Sequence, residues 1–132
     1  MNKNNSLEVI KDCTTYIKNH LQDTLTAESL ASRYGYSLYH FCHIFKICCD
    51  MSPGKYIRLL RLEKAKKDIL SGMSITQAGF DNGFETSSGF SKAFRKEYGI
   101  SAREYLKQNK ESEVLIMLHV EIKALRSQTA LG

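Results

Sequence analysis

A chain of 132 residues, 42% of them apolar, can bury the core of one compact domain or of two very small ones. Its formal net charge of +5 favours a polyanionic partner. The opening MNKNNS is polar and no run of about 18 uncharged apolar residues exists, so neither a leader nor a membrane span is expected, and the expected location is the cytoplasm.

With Pro53 as the one proline, and apolar residues recurring at three and four, the chain reads as all-α. A first helix is predicted at about 6–22, and Thr26 is the N-cap of a second at about 27–33. A third follows at about 37–49. Ser52 with Pro53 at the first helical position opens a fourth at about 53–71, where Gly72 stops it. Ser74 with Gln77 predicts a capping box before a fifth helix at about 75–81, and a sixth, 86–98, ends at Gly99. Ser101 with Glu104 forms a second box opening a helix at about 102–108. Beyond Lys110 the segment Leu118–Ala124 alternates apolar and polar residues, a strand pattern with no partner strand in the chain. The fold expected is two helix-turn-helix subdomains, 1–52 and 73–110, joined by a linker helix at 53–72. A tail at 111–132 carries a possible C-terminal β-strand.

The subdivision rests on an internal repeat. Phe41, Phe45, Lys46, Ser52 and Tyr56 recur as Phe90, Phe94, Arg95, Ser101 and Tyr105 at a constant offset of 49 residues. Gly35-Tyr36 matches Gly83-Phe84 after one extra residue in the second turn. Each copy reads as a short helix, a glycine-containing turn and a longer helix.

On the longer helix of the first copy, Leu38, Phe41, Ile44, Phe45 and Cys48 fall on one side and predict the core face. Tyr39, Cys42, His43 and Lys46 fall opposite, at i, i+3, i+4 and i+7. In the second copy the same arithmetic buries Phe90 and Phe94 and exposes Ser88, Ser91, Lys92 and Arg95, which coincide with the first set under the offset. Short polar groups, an aromatic ring and cations suit a major groove, whose base edges and flanking phosphates accept hydrogen bonds. A solvated face is the bland alternative for either helix alone, and the register of the two argues against it. Between Lys55 and Lys67 six basic residues stand against one acid, Glu63, so the positive charge is local.

Catalysis is not expected: no nucleophile with a paired base, glycine-rich phosphate loop or metal cluster stands out. His40 and His43 at i, i+3 lack further nearby ligands, and Cys13, Cys42, Cys48 and Cys49 lack paired CxxC spacing, so no metal or cofactor is implied and the cysteines are expected to be thiols. A helical protein-interaction adaptor is the second reading and an enzyme the third.

Leu30-Ala31 to Tyr36-Ser37, Phe41-x-x-x-Phe45-Lys46, Ser52-Pro53-x-x-Tyr56-Ile57-Arg58-x-x-Arg61-Leu62-x-x-Ala65, and above all Gly83-Phe84-Glu85 to the run from Phe90 to Ser101 form one long spaced pattern. In this pattern, over about residues 7–108, the sequence resembles the AraC/XylS family of transcription activators. The resemblance implies recognition helices entering adjacent major grooves on one face of a double-stranded DNA operator, with RNA polymerase as a further partner. The DNA-binding set expected is Tyr39, His40, Cys42, His43, Lys46, Arg61, Ser87, Ser88, Ser91, Lys92 and Arg95. Cys42 and His43 depart from the hydrogen-bonding or arginine side chains the family often carries there, and Gly79 and Ala102 replace a common alanine and proline. The second helix is therefore expected to contribute the stronger electrostatic share, since a thiol is a weak donor. The tail resembles the entry into the GyrI-like effector domain of some members. A small-molecule effector is accordingly expected to act only through a further C-terminal domain.

Overall fold

The computed structural model describes residues 3–131; Met1, Asn2 and Gly132, at the two ends of the expected N-terminal stretch and tail, lie outside them. Among the described residues there are seven helices and no strand: α1 (Lys3–Asn19), α2 (Ala27–Arg33), α3 (Leu38–Cys49), α4 (Pro53–Leu70), α5 (Ile75–Asp81), α6 (Ser87–Tyr98) and α7 (Ala102–Leu131). The caps explain most of the boundaries. Hydroxyls of Ser37, Ser52, Ser74 and Thr86 accept from the backbone N–H three residues on, each satisfying a donor that the first helical turn leaves orphaned. Thr26 does more than expected, because Ser29 hydroxyl returns the bond to the Thr26 N–H and closes a box. At Ser74 the anticipated box stays half open: the Gln77 side-chain amide donates to Asp81 instead, at 2.6 Å.

Two cores result, and α4 serves both. Ile10, Cys13, Ile17, Leu30, Phe41, Phe45 and Ile57 bury together, whereas Leu62, Ala65, Ile69, Ala78, Phe90, Phe94 and Ala102 form the second cluster. Ile57 and Leu62 lie five positions apart on one helix, so their side chains point about 140° from each other. The apolar stripe of α4 thus changes sides at mid-length, which lets a single helix be a wall of both units. The repeat is visible in the packing. Phe45 meets Tyr56 edge-on at 5.5 Å, and Phe94 meets Tyr105 edge-on at 5.8 Å. The Phe41–Phe45 and Phe90–Phe94 centroids are 5.8 and 5.9 Å apart. Burying a phenylalanine ring contributes about 1.5–3 kcal/mol, so these four rings dominate their cores.

Turn geometry also repeats. Gly35 and Gly83 both hold positive φ, 74° and 90°, a left-handed conformation that a Cβ would oppose. The residues before them anchor the turns differently: Tyr34 hydroxyl donates to the Asp12 carboxylate of α1 at 2.7 Å, whereas Asn82, fully buried, donates to Asp68 of α4 at 2.9 Å.

The tail departs from expectation. Instead of a strand over Leu118–Ala124, α7 continues unbroken from Ala102 to Leu131. A strand leaves its N–H and C=O groups for a neighbour to satisfy, and a helix satisfies them internally. With neither glycine nor proline from Ala102 to Leu131, and with leucine, glutamate, lysine and alanine recurring, the helix needs no such neighbour. Two further placements on α3 differ: Leu38 and Cys48, expected in the core, are exposed, and Cys49 packs against the first cluster instead.

Candidate nucleic-acid interface

α3 begins at Ser37 and presents its polar side outward because Phe41, Ile44 and Phe45 tie the other side to the first core. Tyr39, His40, His43 and Lys46 are all exposed, Tyr39 to 82%. The Tyr39 and His43 rings, one turn apart, lie nearly parallel with centroids 6.2 Å apart, so the two rings are held in one orientation on the exposed side of α3. His40 is turned aside, edge-on to Tyr36 at 5.1 Å. Cys42 is half-buried against the first core, so less of it is available to a partner than the helical wheel implied. The wheel places it outward, but the neighbouring helices close over its edge of α3.

On α6 all five expected residues, Ser87, Ser88, Ser91, Lys92 and Arg95, are exposed, while Phe90 and Phe94 hold the helix down. Gly79 permits this seat: a Cβ there would stand 2.8 Å from the Phe90 ring. Ser87, Ser91, Lys92 and Arg95 converge on a shallow cleft shared with Thr76 of α5 and Arg103 of α7. Lys92 also borders a second groove, where it meets Lys55 and Arg58 of α4 and Lys96 of α6, with Glu97 as the acid present. Positive charge from α4 and α6 is thereby pooled beside the recognition face.

Arg61 lies elsewhere. Its Nε donates to Leu21 O at 3.0 Å and its second terminal nitrogen to Asp23 O at 2.8 Å, carbonyls left without helical partners after α1 ends. Burial lowers its pKa from the ordinary guanidinium value. On its other side the guanidinium abuts Gly83, where a Cβ would lie 2.8 Å from Nε. Arg61 therefore spans the first unit's α1–α2 loop and the second unit's turn. Conversely, Lys55, Arg58, Lys96, Thr76 and Arg103 border the basic surface without having been singled out as contacts. The density of cations after Lys55 was the signal for the first two. Arg103 has no such signal, since its counterpart under the repeat is Gly54.

Among the described residues no three His, Cys, Asp or Glu side chains are grouped to hold a metal ion. The four thiols are free, and burial pushes Cys13 up to about 12. No helix among the described residues is long and apolar enough to cross a membrane.

The sequence profile described as helix-turn-helix domain matches residues 30–108, more than half of the chain, from α2 to the start of α7. The chain belongs to the AraC-type helix-turn-helix family. Family and fold are those of DNA-binding transcriptional regulators and not of enzymes. Among relatives, the HTH-type transcriptional activator RhaS of Escherichia fergusonii is 31% identical over 100 residues, which are 75% of this chain and 36% of RhaS. The chain thus spans about a third of that relative's length. An AraC-type transcriptional regulator from Chromobacterium violaceum superposes with a TM-score of 0.72 at 25% identity, covering 80% of this chain and 96% of that one. The DNA-binding domain of AdpA, solved in complex with a target DNA, superposes with a TM-score of 0.74 at 19% identity and covers 78% and 94%; at that identity the likeness concerns the fold. This AraC-type domain is a sequence-specific DNA-binding module.

Proposed function

We propose that the module reads double-stranded DNA by placing α3 and α6 in adjacent major grooves on one face of the duplex. One observation carries the reading. Tyr39, Cys42, His43 and Lys46 stand at the same repeat positions as Ser88, Ser91, Lys92 and Arg95, on two separately cored units tied by one helix. Matched outward faces on a tied pair are what two successive grooves require.

Arg95 and Lys92 supply the cations at the second face, with Ser87, Ser88 and Ser91 as short donors and acceptors at base edges or phosphates. Lys55, Arg58, Lys96 and Arg103 add backbone attraction. At the first face, Tyr39 and His43 offer aromatic contacts for thymine methyl groups or sugars, with His40 and Lys46 as further exposed polar groups and Cys42 contributing packing. Arg61, expected in the DNA-binding set, acts behind the interface by holding the two units together. The wider reading is a cytoplasmic activator that meets RNA polymerase beside its operator and answers to a small-molecule effector only through a further domain. The supports for these last points are the family and the activator name of its relative RhaS.

The test is selection of sites from a random duplex pool, followed by titration of the selected and a scrambled duplex at two salt concentrations. Two short blocks of preferred bases about one helical turn apart are expected, with binding that weakens steeply as salt rises. A single block, or equal affinity for the scrambled duplex, would overturn the two-groove reading.

A further inference from the structure

We infer that the exposed part of α7 is a two-stranded parallel coiled-coil surface whose partner is a second copy of this chain. From Lys110 to Gln128 every residue of α7 is exposed, so this stretch runs about 28 Å beyond the second core. Most helical stability in proteins comes from packing of an apolar face, which this stretch lacks while it exposes Leu115, Leu118 and Ile122, so a covering surface would stabilise it.

The spacing identifies the geometry of that cover. Leu115, Leu118, Ile122 and Leu125 are separated by three, four and three residues and fall within an arc of about 80°, forming the a and d positions of two heptads. Leucine occupies both d positions and isoleucine one a position, a combination that favours two parallel strands. The second apolar strip, Ile116, Met117 and Val120, does not extend in the same way: the same spacing meets Glu113 before it and Lys123 after it.

Charge selects the partner and its direction. Glu121 and Arg126 flank the seam on opposite sides, at the g and following e positions. In a parallel pair of identical helices, Glu121 of each copy faces Arg126 of the other, and the two-fold axis makes the contact twice. An antiparallel pair would set like charges together. Two heptads form a weak seam in free solution. On DNA carrying two neighbouring sites the effective concentration is raised, so each copy would help hold the other.

The experiment is sedimentation equilibrium of the full chain without DNA, over a wide concentration range, with circular dichroism as the check on folding. A reversible monomer–dimer equilibrium is expected. Leu118→Glu and Glu121→Arg should each remain folded and lose the dimer, and Glu121→Arg combined with Arg126→Glu should regain it. A chain monomeric at every concentration, an open series of larger species, or a charge-swapped double variant that stays monomeric would each overturn the proposal.

Discussion

Phe45 and Phe94 occupy equivalent places in the two units, each packed edge-on against a tyrosine at 5.5 or 5.8 Å, yet the helices they anchor end and meet solvent differently. α3 closes on Asp50 at φ 58°, where a side chain resists the left-handed conformation, whereas α6 closes on Gly99 at φ 78°. α3 presents rings and a half-buried thiol; α6 presents serines, Lys92 and Arg95 beside cations of α4. The packing frame of a repeat is conserved between copies because steric fit admits few solutions, while the outward face is released from that constraint and can specialise.

The largest test of equivalence is in the cores. Phe45→Ala and Phe94→Ala should each destabilise by about 3–5 kcal/mol, with amide exchange rising first in the unit that carries the substitution. Thermal melts in which one site is silent would break the comparison.

The turns should then separate the two copies. Gly35→Ala meets open space and costs only backbone strain, about 1–2 kcal/mol. Gly83→Ala meets the same strain and also the Arg61 guanidinium, whose displacement sacrifices the bonds to Leu21 O and Asp23 O, so its loss in denaturant midpoint should be clearly larger. Equal losses would show that the Arg61 bridge contributes nothing.

For DNA, Arg95→Ala should weaken operator affinity by roughly 1–3 kcal/mol and relax one base position if the contact is bidentate to guanine. Lys46→Ala should remove about one unit of salt slope with little change in sequence preference. The reverse ranking in a binding titration would assign the stronger contribution to α3. At the helix ends, Asp50→Gly should raise stability by up to about 1 kcal/mol and Gly99→Asp should lower it, as read by chemical denaturation.

The smallest effect concerns acid. Tyr98 hydroxyl donates to Glu63 at 2.6 Å, and this bond, with help from Lys66, holds the Glu63 carboxyl below its ordinary value. A depressed folded pKa contributes stability above the unfolded pKa of about 4.3, and that share disappears as pH falls through the folded value. Because Glu63 is half exposed, less than about 1 kcal/mol is involved. Glu63→Gln should flatten the stability profile below about pH 5, and parallel profiles in mutant and parent would remove the bond from the account.

The starts of most helices and the inward phenylalanines of α3 and α6 were legible because caps and periodicity depend on residues within a turn or two of one another, whereas Leu38 and Cys48 were wrongly placed in the core and the Ser74 box closed only halfway. The offset of 49 residues made the phenylalanine and outward positions of one copy a check on the other. The outward face of α6 was legible for the same reason, since Phe90 and Phe94 fix its inner side. The tail was misread because seven alternating residues fit period two, although no partner strand was in sight and the run without glycine or proline from Ala102 to Leu131 can satisfy its backbone as a helix. What only the tertiary structure decided lies between residues far apart in the chain. Arg61 reads as one more cation in a basic stretch, but the carbonyls that hold it are 40 and 38 positions away. Cys42 reads as outward until neighbouring helices close over its edge, and Lys55, Arg58, Lys92 and Lys96 share a groove only once α6 is laid against α4. Periodicity is a local property and fixes which side of a helix turns inward; which carbonyl or cation waits there is set by packing.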